Sequence, residues 1–135
     1  MSGFGDAILQ QVYEKLAANS SLMSLVSDAV FDHVPQTEGY PFVAIGELVE
    51  TEWNTDDSER AVQASITIHS YSRALGRKET HDIQAEIMNS LHRASLASAG
   101  VRFVSIDHVQ SQSFTDADGK TRHGIVEFNI HITEV

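Results

Sequence analysis

Seven histidines and nineteen carboxylates are the side chains of this sequence with the most chemistry to offer. His69 and His131 fall in alternating segments at positions of opposite parity to the apolar residues. Both rings are therefore expected on the non-core face of a sheet, where an imidazole can ligate a metal, carry a proton or change charge near neutral pH. A metal site is disfavoured. There is no His-x-x-x-His pair at helical spacing and no cysteine, and the strand neighbours are Thr67, Asn129 and Thr133 rather than carboxylates in a fixed geometry. Asp116-x-Asp118, with Glu127 further on, superficially matches a calcium loop. That loop needs glycine at its sixth position, where this chain has Thr121, so the segment reads as a hairpin turn.

Nucleophilic and acid–base chemistry find no better footing. The serines lack a Gly-x-Ser-x-Gly elbow, and Gly3, Gly5, Gly39, Gly46 and Gly76 build no phosphate loop. His81 beside Asp82 and Glu86 has acid–base residue types, but these positions fit the solvated face of an amphipathic helix. The expectation is a protein that is not an enzyme and uses no cofactor or metal.

The elements that position these residues are legible from hydrophobic period. Asp6 can cap a helix over residues 6–18, with Ile8, Val12 and Leu16 four apart and Leu9 and Tyr13 widening the stripe. Ser20 or Ser21 offers a second cap before Leu22, Leu25 and Val26, and an extended apolar fragment over 28–34 ends at Pro35. A strand is expected over 41–49, followed by a long polar connection over 50–60 that holds Glu50, Glu52, Asp56, Asp57 and Glu59 around Trp53. Residues 61–71 alternate, with Val62, Ala64, Ile66 and Ile68 on the core side and His69 and Tyr71 on the other. Helical spacing returns over 75–93 with Ile83, Ile87 and Leu91. The next strand begins at Val101. A bulge or bend near Phe103 is expected to settle Val104, Ile106 and Phe114 on one face, and Val126, Phe128, Ile130 and Ile132 alternate in the last strand. Together these predict an α+β fold: a mostly antiparallel four-stranded sheet with two main helices packed on one face, in one domain over residues 1–135.

The totals narrow the function further. A chain of 135 residues suits one core, and the absence of cysteine removes disulfides and thiol chemistry together. No apolar run approaches bilayer length and the start carries no basic-then-apolar leader, so the expectation is a soluble intracellular protein without membrane contact. Asn19-Ser20-Ser21 matches a glycosylation sequon, but reads as a polar helix end. A formal net charge of −10 repels a phosphate backbone, which argues against specific nucleic-acid binding.

Several phrases carry a resemblance across nearly the whole chain. They are Val12-Tyr13-x-x-Leu16, Leu22-x-x-Leu25-Val26, Val30-Phe31-Asp32-His33-Val34-Pro35, Tyr40-Pro41-Phe42-Val43-x-Ile45-Gly46-Glu47, Ile68-His69-x-Tyr71-Ser72-Arg73, Gly76-Arg77-Lys78-Glu79 and Ile87-x-x-x-Leu91-His92. With them the chain resembles the tail-completion or tail-terminator proteins of long-tailed phages, also carried by prophages and gene transfer agents. The resemblance implies an α+β subunit, assembled in the bacterial cytoplasm. It would form a ring, commonly a hexamer, at the head-proximal end of the tail in a virion or phage-like particle. Its implied partners are itself, the tail tube protein and the head connector or stopper protein, with DNA passing through an acidic lumen. The competing reading is a small homo-oligomeric adaptor unrelated to virions. Candidate interface residues, taken from predicted loops and the non-core face, are Trp53, Asp56, Asp57, Glu59, His69, Tyr71, Asp116, Asp118 and His131. The histidines at 69, 108, 123 and 131 on the predicted sheet would make assembly responsive to pH.

Overall fold

A computed structural model of the chain describes residues 4–35, 39–53 and 60–134. Its elements are α1 (Gly5–Ala17), α2 (Ser20–Val26), β1 (Val30–Phe31), β2 (Phe42–Glu52), β3 (Ala61–Ser72), α3 (Lys78–Leu91), β4 (Val101–Thr115) and β5 (Arg122–Glu134). The α+β class is as the sequence predicts. The sheet has five strands in the order β1-β2-β3-β5-β4, the fifth being the two-residue β1, which runs parallel to β2 while every other pairing is antiparallel. α3 carries the chain from β3 to the far edge, and β5 returns to fill the gap between β3 and β4.

One face of this sheet is built by period two. Val62, Ala64, Ile66 and Ile68 of β3 lie opposite Ile132, Ile130, Phe128 and Val126 of β5, and all eight are buried. The helices cover that face with the stripes expected of them: Ile8, Val12 and Leu16 from α1, Leu22 and Val26 from α2, and Ile83, Ile87 and Leu91 from α3. The ends of the helices differ from expectation. Asp6 sits inside the first turn of α1, where its charge favours the helix N-terminus, and Phe4 precedes the helix without a side-chain cap. Asn19, not Ser20 or Ser21, caps α2, its Oδ1 accepting from Leu22 N–H at 3.0 Å. The same side chain donates through Nδ2 to Glu86 O at 3.1 Å and to Ser90 Oγ at 2.8 Å, so one residue both starts α2 and fastens it to α3. α3 is shorter than its apolar spacing suggested, leaving 73–77 as a loop.

Three irregularities in strand pairing set which side chains face away from the helices. In β2, Ile45 pairs with Ile68 and Leu48 with Ile66, so Gly46 and Glu47 together stand opposite Thr67 alone. β4 has the expected bulge, between Phe103 and Ser105, and a second between His108 and Gln110. The first turns Val104 outward, where it is 52% exposed, and the second reverses the parity of the strand so that Phe114 stands opposite His123 on the uncovered face. Both residues were expected on one face with Ile106, which is buried; each bulge inserts one residue and flips every side chain beyond it. The polar run after Val49 is also shorter as a connection than expected. Glu50, Thr51 and Glu52 continue β2, paired with Ala64, Gln63 and Val62, because an edge-facing acidic residue costs little on a strand whose alternate neighbours are satisfied by the ladder.

The long outer edge of β4 is partly covered by its own chain. Arg93 N–H donates to Ile106 O at 2.9 Å, His108 N–H donates to His92 Nδ1 at 3.1 Å, and Gln84 Nε2 donates to Gln112 O at 2.8 Å.

Candidate functional site

Among the described residues no helix lies over the second face of the sheet, and one end of that face carries a row of four ionisable side chains. The bulge in β2 delivers Glu47, β3 delivers His69, β5 delivers His123, and the β4–β5 turn delivers Asp116. Glu47 Oε2 lies 3.0 Å from His69 Nε2, His69 Nδ1 lies 2.7 Å from His123 Nε2, and His123 Nδ1 lies 3.2 Å from Asp116 Oδ1. Both imidazole side chains are only 14% exposed, whereas Glu47 is 67% exposed.

Proton counting fixes what this row can be. Each carboxylate accepts an N–H from the imidazole beside it, which uses one proton on each ring. The two inner nitrogens then need one further proton between them, since two lone pairs at 2.7 Å repel and two N–H groups clash. The satisfied row is a singly charged imidazole pair between two carboxylates. The hydrogen bond from His69 holds the Glu47 carboxyl below its ordinary range, with the positive charge of the histidine pair adding to it.

Gly46 makes the arrangement possible. A Cβ there would meet His69 Cδ2 at 2.4 Å and Nε2 at 2.6 Å, so the ring of His69 lies directly on the glycine backbone. Aromatic rings hold the other side. Tyr71 stacks on His123 with centroids 4.4 Å apart and on Phe42 at 4.8 Å, and Phe114 leans on His123 at 4.8 Å. Burial pushes the Tyr71 hydroxyl above its ordinary pKa, and the negative charges of Asp116 and Glu47 push it the same way. Tyr40 extends the aromatic row, with the Arg73 guanidinium 4.4 Å above its ring.

As a reaction centre this row lacks a reacting group. The ring nitrogens of His69 and His123 bond to each other and to the two carboxylates, and no serine or threonine hydroxyl reaches them among the described residues. Nor do three or more His, Asp or Glu side chains converge as metal ligands among those residues. The face presents aromatic rings with the charged row among them.

The structure brings His69, Tyr71 and Asp116 together in this cluster. Trp53 and His131 meet at the opposite end of the same face, with ring centroids 4.8 Å apart, and Ser105 Oγ lies 3.1 Å from His131 Nδ1. Asp118 stands apart, its carboxylate occupied within the β4–β5 turn. It accepts from Lys120 N–H, Thr121 N–H and the Thr121 hydroxyl, and these bonds hold its pKa well below the carboxylate range. Asp56, Asp57 and Glu59 lie outside the described residues. Glu47, Phe114 and Tyr40 were absent from the expected set, and so was His123 despite its place on the predicted sheet. The parity of residues 123–133 carries the signal for His123; Glu47 and Phe114 depend on bulges that no period reveals.

The sequence profile of the tail completion protein gp17 family matches residues 10–133, a span that includes all four residues of the ionisable row. The chain belongs to this family. Tail completion protein gp17 of Bacillus phage SPP1 is 29% identical over 126 residues, covering 93% of this chain and 92% of the phage protein. A chain in the virion of a native gene transfer agent particle has the same fold, with a TM-score of 0.89 and 21% identity over 98% of this chain and 99% of that one. Membership in the tail completion family therefore extends over both layers of the structure, the helical cover and the open sheet face.

Proposed function

We propose that this chain is a structural subunit of the tail of a long-tailed phage or gene transfer agent particle. In this reading it assembles as a ring at the head-proximal end of the tail tube, ends tube growth and joins the tube to the head connector. The observation that carries the proposal is the family match over residues 10–133, in a chain whose aromatic and charged sheet face is left uncovered by its own helices. Trp53, His69, Tyr71, Asp116 and His131 lie on or beside that face and are the proposed contact residues. The net charge of −10 suits a ring through which DNA passes without adhering.

No reaction is part of this role. The Glu47–His69–His123–Asp116 row acts as a hydrogen-bonded part of the contact surface, with a net negative charge, rather than as a relay. The test is to incubate purified protein with tail tubes that lack their terminator and to image them by electron microscopy. A ring closing one end of each tube, with head attachment restored, is the expected result. Tubes left open where an authentic terminator closes them would overturn the proposal in favour of an unrelated adaptor.

A further inference from the structure

Leu75 is 96% exposed at the tip of the loop between β3 and α3, yet that loop is braced. Ala74 N–H donates to Ser72 Oγ at 3.1 Å, and Arg122 Nη2 donates to Leu75 O at 2.8 Å. Arg73 reaches across to the Thr121 hydroxyl at 3.2 Å, so the loop and the β4–β5 turn form one tip. Five of the nine Lys and Arg residues gather on it: Arg73, Arg77, Lys78, Lys120 and Arg122. Arg73 and Lys78 pair with Asp118 and Asp82, whereas Arg77 and Lys120 have no acidic partner among the described residues. The tip therefore presents an exposed apolar side chain on a braced loop among basic residues.

A complementary pocket exists on a different part of the same chain. Leu9, Gln10, Tyr13, Glu14 and Asp32 line a groove of about 440 Å³ beside α1 and the end of β1. Leu9 and Tyr13 give it an apolar floor, with Tyr13 44% exposed. Its acidic groups, Glu14 and Asp32, have no cationic partner among the described residues; Glu14 is instead oriented by Gln11 Nε2 at 2.9 Å.

We infer that Leu75 of one copy seats in the Leu9–Tyr13 groove of the next, with Arg77 facing Glu14 and Asp32. The exposure of Leu75 shows that it does not occupy the groove of its own chain, and the charges of tip and groove are opposite in sign. Tip and groove are different patches, so the contact is heterologous. Such a contact propagates from copy to copy and closes into a ring when its rotation permits. A phosphate backbone would answer the basic residues but give an apolar side chain at the apex nothing to bury, so protein is the favoured occupant over DNA. The inference rests on the ring reading of the previous subsection and gives that ring a specific joint.

The chain has no cysteine, which permits a clean cross-linking test. Leu75→Cys and Tyr13→Cys variants, each alone, as an equal mixture and combined in one chain as a double variant, are incubated with terminator-less tail tubes, oxidised mildly, imaged, and separated without reductant. The mixture is expected to give a covalent dimer that neither variant gives alone, and the double variant a ladder ending at the ring size. Leu75→Asp, at a solvent-exposed position, is expected to leave unfolding unchanged while raising the concentration for half-maximal capping at least about tenfold, the loss of one buried leucine. Capped tubes without the cross-link would overturn the tip-in-groove joint and leave the ring reading standing. If no caps form under conditions where an authentic terminator forms them, both fall. If capping survives Leu75→Asp and Arg77→Glu while duplex DNA binding of the free chain is lost, the tip is a phosphate contact and the joint is refuted.

Discussion

The Gly46→Ala substitution tests whether the bulge in β2 exists to seat His69. The new methyl group would lie 2.4 Å from His69 Cδ2 and 2.6 Å from Nε2, so the ring must move. It cannot move freely, because Glu47 holds Nε2 at 3.0 Å and His123 holds Nδ1 at 2.7 Å. Displacement forfeits both bonds. The bond to His123, between mostly buried rings, is worth about 1 kcal/mol, and that to the exposed Glu47 less than its charge suggests, about 0.5–1 kcal/mol after solvent screening. The total is about 2 kcal/mol, which for a chain of this length lowers Tm by roughly 5–10 °C. Thermal and urea unfolding of four proteins supply the assay: the parent, Gly46→Ala, His69→Ala and the double variant. In the His69→Ala background the two ring contacts are gone and Thr67 O, at 3.0 Å, is the remaining close neighbour of the three nearest, so Gly46→Ala should cost less than about 1 kcal/mol there. Equal costs in the two backgrounds, within about 0.5 kcal/mol, would refute the reasoning.

Other consequences can be measured separately. The Glu47 carboxyl should titrate below the ordinary glutamate range by NMR and return towards it in His69→Ala. Since its folded pKa is depressed, its stabilisation is present above the unfolded value of 4.5 and is lost as pH falls through the folded one. Asp118→Asn should lower Tm at neutral pH, because the amide replaces a carboxylate that accepts three hydrogen bonds. That difference should vanish as pH drops below the unfolded value of 3.8 and on through the depressed folded pKa, and a difference that persists unchanged in acid would contradict the turn-holding role. Asn19→Ala removes the α2 cap together with the bonds to Glu86 O and Ser90 Oγ. A loss of about 2–3 kcal/mol in urea unfolding is expected, against about 1 for a cap alone; a loss no larger than that of a simple cap would show that the tie to α3 contributes nothing.

The layers of this fold were readable because burial imposes a period. Ile8, Val12 and Leu16 in α1, and Ile66 and Ile68 in β3, sit where their spacing puts them, and the same parity places His69 and Tyr71 on the opposite face. Parity fails at bulges. Phe114 shares the period of Ile106 on paper, yet the extra residue between His108 and Gln110 carries it to the other face, beside His123. Glu47 was hidden for the same reason, since an unbroken strand would not put it opposite Thr67 together with Gly46. The pairing of His69 with His123 also required the strand order. The chain runs from β3 to β4 before β5 returns between them, and local patterns do not encode which strands become neighbours. Leu75 was read as the start of a helix because its apolar character extends the stripe of α3; the loop that exposes it is set by the tertiary bonds from Ser72 and Arg122.

The three hydrogen bonds that Arg93, His92 and Gln84 make to the rim of β4 bear on how such a protein survives before it is used. A fifteen-residue border strand is an open template for any other strand it meets, and proteins with bare borders zip together into disordered aggregates. Here Arg93 and His92, just after α3, already bond to the middle of the border and two bulges kink what remains, while at the opposite border β1 pairs with Val43 and Ala44 of β2. Fewer positions on either rim are then free to pair with the strand of a second copy, which favours contacts between copies through side chains.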